Sequence, residues 1–197
     1  ALRGGNRVGV NARRAFAAIL AIIPAGLLGA ATAWGSPVFG AGLVALAAWL
    51  GKQDIARRTI RSHGLTRFIA ACLLSGYAWL AVGGAIVVAA GGLAPGSPSY
   101  DAALHALTLG FVFAMVFGHA PIIFPAVLRV AVPYHPTFYL PLALLHLSLV
   151  VRLAGDAAAR FDWTRLGGML NALALVAFIV STASAVARGM RRPPAPL

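Results

Sequence analysis

The sequence predicts an all-α integral membrane bundle of about six transmembrane helices, and three observations carry that expectation. Of 197 residues, 60% are hydrophobic and only 10% charged, whereas an ordinary soluble domain is about 25% charged. The mean hydropathy is +0.87, so the chain has too little polar surface to cover itself. Its apolar residues also gather into runs close to the ~20 residues that a helix rising 1.5 Å per residue needs to cross a hydrocarbon core about 30 Å thick.

The runs fall at 15–33, 37–51, 67–92, 102–128, 136–154 and 166–187. A basic, Gly-rich segment, 1–14, precedes the first, and no signal-peptide cleavage pattern follows that run. Because the sequence starts at Ala1 rather than Met, a processed chain or a piece of a longer one is expected. The second run is short and joined to the first through Gly35, Ser36 and Pro37, which suits either a barely tilted span or a re-entrant segment. A break at 93–101, with Pro95, Gly96 and Pro98, sets off the fourth run, for which Asp101 is the expected N-cap. Residues 15–187 therefore read as one transmembrane domain, and 188–197 as a Pro-rich tail.

Charge orients these runs. The chain holds 16 Lys+Arg against 4 acidic residues, a formal net charge of +12. In a soluble protein this would suggest nucleic acid, but here the cations flank apolar runs, so no nucleic-acid partner is expected and the charge reports topology. With six spans and both termini inside, the inner segments hold Arg3, Arg7, Arg13, Arg14, Lys52, Arg57, Arg58, Arg61, Arg67, Arg129, Arg188, Arg191 and Arg192. The outer segments hold only Arg152, Arg160 and Arg165. Without the second span the 52–67 cluster would lie outside, against the positive-inside rule. Trp34, Trp163, Tyr100, Tyr134 and Tyr139 sit near span ends as an aromatic belt would have them, whereas Trp49 and Trp79 do not. The lipid bilayer is the first partner implied, with anionic lipid beside the basic segments.

Histidine carries the chemical information. Four of five histidines lie on the fourth and fifth helices and the turn between them, where ionisable groups at membrane depth mark functional positions. His63 lies in the basic loop and reads as a solvated surface residue; His135, beside two prolines, reads as structural or exposed. His105 and His119 are separated by roughly 21 Å along one helix and cannot share a metal ion. Counting along the helices instead puts His119 and His146 level on neighbouring antiparallel helices. Such a pair can supply two axial ligands to haem b or two ligands to copper, since neutral imidazole suits both; His105 would need another partner. Ala106, Gly110, Ala114 and Gly118 form a small-residue stripe that suits close helix packing or a flat macrocycle. Pro121 and Pro125 should kink or end the helix near the inner interface. Arg152 and Asp156, four apart, read as an intrahelical pair.

Other chemistries find little support. Cys72 is the single cysteine, so no internal disulfide or Cys-based metal site can form. No P-loop, GxSxG or HExxH motif is present and no span contains an acidic residue, which weighs against ion-coupled transport.

The stretch HALTLGFVFAMVFGHAPIIFPAVL, His105 to Leu128, resembles a helix of NnrS-like polytopic bacterial membrane proteins, which are distantly similar to haem–copper oxidase core subunits. The matching positions are His105, Thr108, Gly110, Phe111, Met115 and Gly118, while GHAPIIFP at His119 departs from the pattern. The resemblance implies a bacterial inner-membrane protein associated with haem and copper and with nitric-oxide responses. It also implies that this chain corresponds to a C-terminal portion, with preceding helices supplying the partner of His105. Three functions follow as expectations: a histidine-ligated haem or copper protein, with His119 and His146 as metal ligands and His105, Gly110 and Gly118 at the cofactor; an accessory subunit of a larger membrane complex without its own cofactor; and a permease for a small neutral solute lined by the Pro-broken fourth helix.

Overall fold

The computed structural model describes residues 3–129 and 132–190, and within them every regular element is helical. In chain order these are α1 (Arg3–Leu28), α2 (Gly35–Gln53), the single turn α3 (Ala56–Thr59), α4 (Gly64–Ala90) and α5 (Pro98–His105), which continues through a π-helical stretch (Ala106–Phe113) into α6 (Ala114–Leu128). A 3₁₀ turn (Pro136–Phe138), α7 (Tyr139–Ala157) and α8 (Phe161–Met190) complete the chain. Five helical stretches are long and apolar enough to cross a membrane: Val10–Leu28, Gly64–Ala90, Pro98–Val127, Pro136–Ala157 and Phe161–Met190. The second sequence run forms α2, whose 19 residues pack between α1 and α4.

Several boundaries differ from the sequence reading for local reasons. From Arg3 onward the basic segment before residue 15 is part of α1; Gly and Arg there do not interrupt a helix that the apolar run propagates. The N-cap of α5 is Ser97, whose Oγ accepts from the Tyr100 N–H at 3.2 Å, with Pro98 in the first turn. Proline is pre-set for that position and lacks the N–H that would go unpaired, so Asp101 is left free for a tertiary contact. Pro121 and Pro125 lie inside α6, which runs on to Leu128 and stops where Arg129 adopts a left-handed conformation at φ 53°.

The main core joins α4, α6, α7 and α8 through Phe68, Phe117, Leu145, Leu149 and Phe178, all at most 8% exposed. Phe117 stacks on Phe178 with ring centroids 3.9 Å apart, tying α6 to α8. Phe68 meets Tyr139 edge-on at 5.2 Å, which sets α7 beside α4. A smaller cluster of Leu43, Ala47 and Leu80 lies between α2 and α4. There the backbones themselves approach: a Cβ on Gly40 would lie 2.6 Å from the Gly84 carbonyl oxygen, and one on Gly84 would lie 2.7 Å from that of Gly40. Glycine at both positions is therefore what lets these helices cross so closely. Trp49, out of place in an aromatic belt, donates from Nε1 to the Ala12 carbonyl at 3.2 Å and stacks on Phe16 at 4.5 Å, holding α1 against α2.

Candidate functional site

The small-residue stripe faces α4 rather than open space. A Cβ on Gly110 would lie 2.5 Å from Cγ of Trp79, and one on Gly118 would lie 2.9 Å from Cβ of Cys72. Met115 and Ala114 reach Gly76 in the same way. The groove in which Gly110 and Gly118 could have admitted a flat macrocycle is thus filled by α4 side chains. Packing accounts for the stripe.

Seated on Gly110, Trp79 donates its indole N–H to Nδ1 of His146 at 2.9 Å. An indole nitrogen only donates, so Nδ1 carries the lone pair and the proton of neutral His146 sits on Nε2. Nε2 is buried and, among the described residues, has no hydrogen-bond partner. Metal ions take the lone pair of one imidazole nitrogen while the other nitrogen donates to a carbonyl or carboxylate. In this structure His146 has the reverse arrangement, accepting at Nδ1 from Trp79. Its contact with Trp79 also places it at the level of Gly110, nine residues from His119, or about 13 Å along the helix axis. The structure therefore does not bring His119 and His146 together. α7 packs chiefly against α8 and also meets α5 and the π-helical stretch, contacts that counting from the helix ends does not include.

Trp79→Phe removes the one donor to Nδ1 and leaves both ring nitrogens of His146 without a partner. We expect about 1–2 kcal/mol of destabilisation on thermal unfolding in detergent. Because the loss operates through the same hydrogen bond, adding His146→Leu should cost much less than the two single changes summed.

His119 lies on the outward face of α6, in line with Val112, Val116, Ile123 and Val127, which are 42–70% exposed. Its Nδ1 is 2.7 Å from the Met115 carbonyl. A carbonyl only accepts, so this nitrogen holds the proton and Nε2 presents a lone pair. Met115, Val116, Ala120, Ile123 and Phe124 surround the ring in an apolar cleft of ≈ 300 Å³. An aliphatic stripe thus carries one polar atom with no donor of its own.

At the other end of this helix, His105 repeats the local arrangement, with Nδ1 2.8 Å from the Asp101 carbonyl and 3.4 Å from the Asp101 carboxylate. Asp101 also accepts a two-pronged contact from Arg152, with Nε at 2.9 Å and Nη2 at 3.0 Å. The intrahelical Arg152–Asp156 pair read from spacing is thus replaced by an α5–α7 clasp. Arg152 is also held close against α8: a Cβ on Gly167 would lie 2.6 Å from its Cβ and 2.7 Å from its Cα and N. Asp156 instead accepts from the Thr164 hydroxyl at 2.9 Å, and its second oxygen is buried without a partner among the described residues. His105 therefore has Asp101, not a second histidine, beside it. His135 is exposed and caps the 3₁₀ turn by accepting from the Thr137 N–H, and His63 is exposed at the start of α4.

Among the described residues no three of His, Cys, Asp and Glu come together in a way that could hold a metal ion. Several polar contacts that sequence reasoning missed join residues far apart in the chain, among them Trp79 with His146, Arg152 with Asp101, Tyr77 with Asp54, and Ser148 with Asn171. Only Trp79 left a sequence trace, as a tryptophan away from any span end.

No curated protein and no solved structure matches the chain. The model of a family described as a domain of unknown function, DUF8744, matches residues 6–187, nearly the whole length, and the chain belongs to that family.

Proposed function

We propose that the protein is a six-span subunit of a bacterial inner membrane, with both termini on the basic side, that docks through the outward face of α6 against another membrane-embedded chain. One observation carries this reading: with Nδ1 on the Met115 carbonyl, His119 presents its Nε2 lone pair on an otherwise apolar face, and no hydrogen bond reaches that atom among the described residues. It lies nine residues from the end of α6 at Leu128, about 13 Å along the axis, and the exposed residues on both sides of it on this face, Val116 and Ile123, are apolar. Hydrocarbon offers no donor, and a polar atom left unpaired there costs several kcal/mol. A donor on a facing chain removes that cost, and the cleft of ≈ 300 Å³ beside the ring accepts an apolar side chain next to it. The orientation is supported by the basic loop 52–67, which needs α2 as a full span to share a side with the N-terminal and C-terminal cations.

The test is His119→Leu, followed by native electrophoresis of membranes dissolved in mild detergent. The wild-type chain should migrate within a larger assembly. The variant should shift towards the lone chain, by about tenfold or more in dissociation, with its melting temperature unchanged. An assembly indifferent to the substitution would contradict the reading.

A second reading rests on the tautomer. His119 donates from Nδ1 to a carbonyl and offers Nε2, the arrangement of an imidazole ligand. This keeps open a haem or copper shared between His119 and a residue of the facing chain, in electron transfer, metal handling or a nitric-oxide response, as the NnrS-like resemblance implies. Bound haem would supply redox chemistry, and this chain would contribute one ligand and an apolar wall. Visible absorption or stoichiometric copper that disappears in His119→Leu but survives His146→Leu would establish it; a colourless, metal-free wild-type assembly would remove it.

A further inference from the structure

We infer that the turn between α2 and α4 is a binding site for the phosphate-bearing headgroup of an anionic phospholipid. Lys52, Gln53, Asp54, Ile55, Arg57, Arg58 and Arg61 line one cleft of ≈ 660 Å³ at the basic end of the bundle. All four cations are exposed, and none appears among the ion pairs of the described residues. Asp54, the one carboxylate present, is turned to structural work: one oxygen accepts from the Ala56 N–H at 2.7 Å, the other from the buried Tyr77 hydroxyl at 2.8 Å. That double anchor ties the α2–α3 corner to α4 and holds the cleft in shape while leaving the guanidinium groups without an acceptor.

Orientation of the chain requires cations in this segment but not their convergence on one concavity. Three arginines around a cleft offer planar forks that match phosphate oxygens in pairs, and Lys52 adds a point charge. Ile55, 69% exposed among these cations, suits the boundary where a headgroup meets its acyl chains. Free phosphate shares the headgroup's charge but has no apolar part for Ile55 to contact.

The experiment uses the full chain in neutral detergent, titrated with phosphatidylglycerol, phosphatidylcholine or inorganic phosphate, with bound lipid read by native mass spectrometry and protection by thermal shift. Phosphatidylglycerol should bind about tenfold or more tightly than phosphatidylcholine. Combined Arg57→Gln, Arg58→Gln and Arg61→Gln should abolish that preference, while Arg188→Gln, an exposed cation outside the cleft, should keep it. Equal binding of the two lipids, a preference that survives the triple variant, or a loss in Arg188→Gln as large as in the triple variant would overturn the site. Protection by millimolar phosphate equal to that by phosphatidylglycerol would overturn the lipid as its occupant.

Discussion

Gly84→Val should separate α2 from α4 and leave little folded protein. The new Cβ would meet the Gly40 carbonyl oxygen at 2.7 Å and Cβ of Leu43 at 3.0 Å, and a carbonyl inside a helix cannot rotate away without breaking its own hydrogen bond. Crowding of this kind costs about 1–3 kcal/mol where side chains can yield; against backbone we expect the upper end or beyond. The consequence spreads, because α2 is the element through which α1 reaches the rest of the bundle, with Trp49 bonded to Ala12 and stacked on Phe16. Gly40→Val should behave alike, since its Cβ would meet the Gly84 oxygen at 2.6 Å. Gly51→Ala is the control: nothing lies within 4 Å of a Cβ there, and alanine favours helix over glycine by about 1 kcal/mol. Protease resistance and thermal melting of detergent-purified protein should rank the variants in that order.

Arg152→Ala should cost about 2–3 kcal/mol, the range for lost hydrogen bonds to charged groups. Arg152 is 16% and Asp101 33% exposed at the side chain, so solvent only partly compensates the stranded carboxylate. The clasp holds α5 to α7, and Arg152 also lies against Gly167 of α8, so its removal loosens three helices at one end. Arg152→Lys keeps the charge but not the fork that contacts both carboxylate oxygens, and should recover less than half of the loss. Because the carboxylate would no longer face a cation, Asp101→Asn should add little in the Arg152→Ala background. A double-mutant cycle on thermal stability measures that coupling.

The apolar runs made the helical fold legible, since hydrocarbon thickness fixes run length. Periodicity also picked out Ala106, Gly110, Ala114 and Gly118 as one face, and close packing was one of its two readings. What lay beyond the sequence was register between helices. Arg152 and Asp156 are four apart and so read as a pair, but Arg152 bonds Asp101, 51 residues away. His119 and His146 looked level when counted from helix ends, yet Trp79 fixes His146 at the depth of Gly110. A ring nitrogen's role as donor or acceptor is set by its neighbour, so only the structure distinguishes His146, which accepts a hydrogen bond at Nδ1, from His119, which offers a lone pair at Nε2.

The central claim is that the outward face of α6 around His119 is covered by protein. Its most direct measurement is photo-cross-linking in native membranes, with a photoreactive residue at Ile123, beside the cleft of His119, and a second at Val88 on α4, which is 42% exposed elsewhere on the bundle. The expected result is a discrete protein adduct from position 123 that weakens in His119→Leu, and lipid adducts alone from position 88. Lipid adducts alone from both positions would contradict it.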